Sequence, residues 1–295
     1  MKHWTDKGER GSAWLIHVVV WLAHRAGRTV CRALLYPIVL YFFLTDSVAR
    51  KSSAEFLQTV YRRKARWRDV FAHIYSFATT LLDRVFMAAG DFDKLDVAIE
   101  GLALVDQALQ AGRGCVLLGS HLGSFDLLLL AGRAMDGCRV SVMMRVDPRS
   151  RLRRIAGIDD SAFDLIPVGR PDSYLKAHEA LSCGGVVAIL ADRTDGAASL
   201  PVQFMGRMTT MPIAPHVLAA RSEAPVLMFF GLYENDNRYR IKFVECGAAA
   251  ASHCRGAELQ PVVDAYTAVL EQYARHHPLN WFNFYPYWTA DRVSQ

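Results

Sequence analysis

His121 is followed five positions on by Asp126, within GCVLLGSHLGSFD (Gly114 to Asp126). An imidazole within reach of a carboxylate is a general base beside the group that orients it. Spacing alone fits equally a histidine that caps a loop and an aspartate that caps a helix. A second acidic turn, ADRTDG, carries Asp192, Arg193 and Asp195 after the apolar run VVAILA. Ligand crevices form at the carboxyl ends of strands in open α/β sheets, so these residues could line the cleft that holds His121. An ordinary Asp/Gly-rich turn reads the same way. Between the two segments lie Arg145, Arg151, Arg153, Arg154 and Arg170. Their guanidinium groups suit phosphate on a carrier or a lipid, or serve as plain surface charge.

The elements that must position these groups are legible in outline. GCVLLG is a short apolar run between glycines, which predicts a buried strand delivering His121 at its end. Gly123 and Ser124 read as a turn and an N-cap, and FDLLLLAGRAM as a helix, so Asp126 falls in a first helical turn, where negative charge is favoured. Further strands are expected over Arg139 to Met144, Phe163 to Val168, Val186 to Ala191, Pro225 to Tyr233 and Tyr239 to Val244. Helices are expected over Leu102 to Ala111, Ser173 to Ser182, Pro212 to Arg221 and Leu259 to His276. The alternation predicts an α/β fold with a mostly parallel central sheet flanked by helices. VFAHIYSFATTLLDRVFM reads as a helix packed on that sheet, with His73 a core histidine, and VQFMGRMTTMPIAP as a loop rich in small and apolar residues. The aromatic PLNWFNFYPYW is expected to lock the last helix.

The chain has 295 residues, is 52% hydrophobic, and carries a formal net charge of +5 that is unevenly spread. Residues 1–70 hold thirteen Lys or Arg against five Asp or Glu, a net +8, so the remainder nets −3. Two apolar runs, Ala13 to Ala23 and Ala33 to Leu44, each reach about half the roughly 20 residues a spanning helix needs. Arg25, Arg28 and Arg32 separate them, and Trp14, Trp21, Tyr36, Tyr41, Phe42 and Phe43 are aromatics suited to headgroup depth. A monotopic or re-entrant anchor is the reading; a single tilted span and a pair of core helices are the alternatives. Arg50 and Lys51, then Arg62, Arg63, Lys64, Arg66 and Arg68, read as solvated helix faces and, beside an apolar anchor, also suit an anionic leaflet. No nucleic-acid-binding signature accompanies them. Six isolated cysteines without metal-type spacing point to a reducing compartment. The expected division is a membrane-anchoring helical segment over 1–48 and a catalytic domain over 49–295.

HLGSFD after a strand, then ADRTDG, then FMGR, then a helix leading into HHPLNWFNFYPYW, together resemble the late acyltransferases of lipid A biosynthesis, within the wider lysophospholipid-acyltransferase-like group. NWFNFYPYW is closer in look to the acyltransferases encoded with aryl-polyene pathways. The resemblance covers about residues 10–290. It implies His121 as the base and Asp126 as the residue that orients it, and it places Asp192 in a D-x-D-like turn that here reads DRTD. It implies an active-site arginine: Arg145 stands where a Y-R-P type motif is expected, with Arg154 and Arg170 as rivals. Ser124 and Arg193 join these as substrate-binding candidates. The implied reaction moves an acyl group from acyl carrier protein or coenzyme A to a lipid or glycolipid hydroxyl, without a metal or redox cofactor. The implied place is the cytoplasmic face of the inner membrane, as a monotopic or single-pass protein, with acyl carrier protein and an acceptor lipid as partners. A hydrolase on the same scaffold and a non-catalytic lipid-binding protein are the rival functions.

Overall fold

The computed structural model describes residues 13–88, 91–110, 112–135, 138–145, 164–194, 196–247 and 250–288. The chain divides into two compact units. Of the described residues, the first comprises those up to Asp96 and those from Pro278 to Tyr287, and the second those from Val97 to His277 together with Trp288.

The first unit is helical. Helix α1 (Ala13–Thr45) is broken at Gly27, whose φ of 77° and ψ of 173° leave the helical region. From Gly27 to Thr45 the helix is continuous for 19 residues, roughly 28 Å at 1.5 Å per residue, with mean hydropathy 1.3. The second apolar run, Ala33 to Leu44, thus becomes part of a helix long and apolar enough, by length and composition, to cross a bilayer, because Thr29 to Arg32 extend it towards the N-terminus; the first run lies before the break at Gly27. Only 17% of that stretch is buried, which disfavours the core-helix alternative. Cys31 and Leu35 pack with Leu82, Val85 and Phe86 of α3 (Trp67–Ala88), while Tyr36, Leu40, Tyr41 and Leu44 are exposed. Arg28 grips Asp83 of α3 through both oxygens, at 2.7 and 2.8 Å, and Asp83 is fully buried. Asp46 caps α2 (Ser47–Tyr61) by accepting from the amides of Val48 and Ala49.

His73 of α3 is the buried core histidine expected. Nε2 lies 2.6 Å from the Trp281 carbonyl, which can only accept, so the proton is on Nε2 and Nδ1 accepts from the Ser53 hydroxyl of α2 at 2.8 Å. Trp281 stacks on Phe56 at 5.5 Å, and Phe77 meets both Phe282 and Phe284 at 5.2 Å. The C-terminal aromatics therefore lock onto α2 and α3, where the last helix was the expected partner.

The second unit is built on a seven-stranded sheet of order β1-β9-β8-β2-β5-β3-β4. Its strands are β1 (Asp96–Glu100), β2 (Cys115–Gly119), β3 (Val140–Met144), β4 (Asp164–Pro167), β5 (Val186–Leu190), β8 (Val226–Asn235) and β9 (Arg238–Glu245). β2, β3, β4, β5 and β8 run parallel, and β9 is antiparallel to β8, since the tight connection at Asp236 and Asn237 leaves no room for a crossover. Flanking helices are α4 (Leu102–Gln110), α5 (Leu128–Ala134), α6 (Ser173–Ser182), α7 (Ala214–Ser222) and α8 (Gln260–His276). β2 and β5 are the central strands, and Cys115 to Leu118 and Val186 to Ala188 are fully buried, as continuous apolar runs covered on both faces should be. VQFMGRMTTMPIAP is not a loop. It forms the antiparallel hairpin β6 (Ser199–Phe204) and β7 (Arg207–Pro212), turning on Met205 and Gly206, both at positive φ. Trp288 covers this hairpin and donates from Nε1 to the Phe204 carbonyl at 3.2 Å.

Candidate active site

Parallel pairing of β2 with β5 sets Gly119 opposite Leu190, and the Ala191 amide closes the ladder on the Gly119 carbonyl at 3.0 Å. His121 lies two residues past Gly119, and Asp192 two residues past Leu190. Equal offsets from paired strand ends bring the two side chains together at the carboxyl edge of the sheet. Nδ1 of His121 lies 2.8 Å from Oδ1 of Asp192, and the His121 backbone amide donates to Oδ2 at 3.0 Å. Both carboxylate oxygens thus accept from one residue. The Asp192 side chain is fully buried, whereas the His121 side chain is 27% exposed. With the carboxylate as acceptor the neutral ring carries its proton on Nδ1, and the basic lone pair is on Nε2.

The turn after His121 is fixed by close backbone approach. Gly123 adopts φ +81°, and a Cβ there would meet the Gly231 carbonyl at 2.1 Å. A Cβ on Gly231 of β8 would meet the Ser124 carbonyl at 2.2 Å. The Ser124 amide donates to the Gly231 carbonyl at 2.7 Å. Ser124 occupies the N-cap position but makes no side-chain cap to the backbone; its hydroxyl lies 3.3 Å from Oδ2 of Asp126. Asp126 sits in a single 3-10 turn, Phe125–Leu127, ahead of α5, rather than in a regular α-helical turn. The family resemblance implies Asp126 as the orienting carboxylate; the carboxylate at Nδ1 of His121 is Asp192.

The arginine candidates separate. Arg145 follows β3 directly and is exposed, and Arg170 is exposed three residues past β4. Both strands run parallel to β5, so both arginines leave the same edge of the sheet as His121 and Asp192. Arg193 follows Asp192 and is half-buried. Arg154, like Arg151, Arg153 and Asp195, lies outside the described residues. Among the described residues no group of three or more His, Cys, Asp or Glu could hold a metal ion. Tyr266 of α8 was not singled out from the sequence: it is fully buried, and its hydroxyl donates to the Gly119 carbonyl at 3.0 Å. In an amphipathic helix a buried tyrosine carries no mark of which carbonyl it will reach.

The site is thus a strand-borne histidine on a buried carboxylate, followed by a glycine-pinned turn. The profile of the bacterial lipid A biosynthesis acyltransferases matches residues 14–290. The chain belongs to that family. It is 27% identical over 202 residues to a phosphatidylinositol mannoside acyltransferase of Mycobacterium tuberculosis, covering 67% of this chain and 62% of that protein. It is also 27% identical over 187 residues to the phosphatidylinositol mannoside acyltransferase of Mycolicibacterium smegmatis, covering 62% and 60% respectively. The matched region thus spans about three-fifths of the length of these curated relatives. Among the described residues, the His121–Asp192 pair sets a part-exposed imidazole on a buried carboxylate, an arrangement chemically able to move a proton.

Proposed function

We propose that the chain is a membrane-associated O-acyltransferase that moves a fatty acyl group from a thioester, on acyl carrier protein or coenzyme A, to a hydroxyl of a lipid or glycolipid. The observation that carries this reading is the part-exposed His121 imidazole held on buried Asp192 at the carboxyl edge of a parallel sheet, in a chain of this family. Nε2 of His121 takes the proton from the acceptor hydroxyl as its oxygen attacks the thioester carbonyl. The new C–O bond forms, the C–S bond breaks, and the imidazolium returns its proton to the departing sulfur. Asp192 holds the tautomer and stabilises the imidazolium between the two proton transfers. Asp126, tied to Ser124, is the second carboxylate of the site. Arg145, Arg170 and Arg193 would meet donor phosphate or the acidic surface of a carrier protein, and Arg154 remains a rival for that task. This chemistry calls on no metal or redox group.

The relatives are named for phosphatidylinositol mannosides, which supports a glycolipid hydroxyl as acceptor; a lipid A precursor fits the family, and an aryl-polyene lipid fits the NWFNFYPYW tail. The Gly27–Thr45 helix, with the basic residues beyond it, would hold the protein on the cytoplasmic face of the inner membrane, where acyl thioesters are made. The test is His121→Ala, assayed in membranes with palmitoyl thioesters of coenzyme A and acyl carrier protein supplied in parallel and products read by lipid mass spectrometry. Loss of acyl-lipid product is expected. Turnover near that of the unaltered protein would remove His121 as base, and thioester loss without acyl-lipid product would make the chain a hydrolase.

A further inference from the structure

The Gly119 carbonyl is the last of β2, and two donors converge on it. One is the Ala191 amide at 3.0 Å, from the residue that precedes Asp192; the other is the Tyr266 hydroxyl at 3.0 Å, from α8. His121 leaves β2 two residues beyond this carbonyl. The junction from which both members of the pair depart is therefore stapled from the helix layer by a single phenol. On the far side of His121 the chain is fixed by Ser124 N–H on the Gly231 carbonyl, with no room for a side chain at either Gly123 or Gly231. His121 thus sits on a short turn restrained at both ends, its own amide held by Asp192, and at the β2 end the Gly119 carbonyl is held by the Tyr266 side chain. Tyr266 is itself held: it is fully buried, and its ring and the His216 ring of α7 pack T-shaped with centroids 5.6 Å apart.

We infer that Tyr266 is a positioning residue for the transfer reaction, its hydroxyl fixing the β2–β5 strand ends so that Nδ1 of His121 stays on Asp192. The inference rests on the acyltransferase reading above. A phenol is suited to this task because it reaches the carbonyl from a rigid ring with few rotamers, and its hydroxyl can be deleted with little change of volume. Loss of the bond leaves Gly119 O with the Ala191 amide alone and frees the strand end to shift by fractions of an ångström. Misplacement on that scale lowers the rate of the chemical step far more than it weakens substrate binding.

The experiment compares Tyr266→Phe, Thr267→Val and His121→Ala in the full-length protein, with palmitoyl thioesters of coenzyme A and acyl carrier protein as donors and a total membrane-lipid extract as acceptor. Thr267 is the control: it too is buried on α8, but its hydroxyl bonds within the helix, to the Val263 carbonyl at 2.7 Å. Expected is a kcat for Tyr266→Phe lower by on the order of tenfold to a hundredfold, at unchanged KM for the thioester. The low-field proton resonance of the His121 Nδ1–H on its carboxylate should broaden or shift in Tyr266→Phe and stay put in Thr267→Val, whose kcat is unchanged. If His121→Ala abolishes turnover while Tyr266→Phe keeps its kcat and its low-field proton, the positioning role is overturned. Equal losses in Tyr266→Phe and Thr267→Val would overturn it too, by assigning the effect to helix docking. If His121→Ala itself keeps full turnover, the underlying acyltransferase reading fails, whatever Tyr266 does.

Discussion

Two carboxylates compete to orient His121, and their surroundings differ. Asp192 is buried and accepts from His121 through both oxygens, whereas Asp126 is half-buried with the Ser124 hydroxyl beside it. An amide at 192 offers one acceptor atom where two are used, so one His121 donor would face an NH2 group. Asp192→Asn should therefore lower kcat by about 10³- to 10⁴-fold, in line with other His-Asp pairs, and Asp126→Asn by much less. Rates of the two variants on the same donor decide it, and a larger loss at 126 would return the orienting role to Asp126. The residues of the site could be found from the sequence because the HLGSFD block and the strand-end Asp192 are local signals. Their pairing could not, since His121 and Asp192 are 71 positions apart and meet only through the β2–β5 register.

At the level of elements, most strands and helices of the second unit follow from apolar runs and glycine punctuation, and β2 and α6 fall where expected. The β6–β7 hairpin did not, because Pro201 interrupts a strand and the turn is Met205-Gly206 instead of an Asn-Gly pair. The apolar-polar-apolar alternation Val202-Gln203-Phe204 was the signal available, and in the fold Val202 and Phe204 are buried. In the helical unit, His73 joins α2, α3 and the C-terminal segment while neutral. Burial pushes its pKa down from the ordinary 6.5 to about 4, against the opposing pull of the Trp281 carbonyl. The unfolded chain therefore binds a proton between these values that the folded chain refuses, so this contribution to stability is complete above pH 6.5 and falls away towards pH 4. It amounts to about 3 kcal/mol across that window. His216, buried on α7 and also lowered to about 4, adds in the same direction. Urea midpoints should drop as pH falls from 6.5 to 4.5, and less steeply in His73→Gln; equal slopes would exclude His73 as a source.

For the molecule as a whole, the question is how it meets a membrane. Removing the N-terminal helix would strip Cys31 and Leu35 from the core they share with α3, so loss of membrane binding after truncation would report unfolding as well. Charges on the exposed face are the cleaner test. Leu40→Glu with Leu44→Glu places two carboxylates on residues that are 48% and 65% exposed, at a cost of about 3 kcal/mol each if they enter hydrocarbon. The double variant should leave the membrane pellet for the soluble fraction with its helix content intact; retention in the pellet would place the attachment elsewhere. The sequence marked this region as apolar, basic and aromatic but divided it at Arg25, Arg28 and Arg32, since charge in an apolar run reads as an interruption. In the fold Arg28 is neutralised within the helix pair by Asp83. That ion pair also fixes the register of α1 on α3. Sliding α1 along α3 would strand a buried carboxylate, at about 3–5 kcal/mol, whereas hydrophobic mismatch costs only fractions of a kcal/mol per ångström. Were this helix to lie in bilayers of different thickness, the lipid around it would stretch or thin before α1 slid along α3.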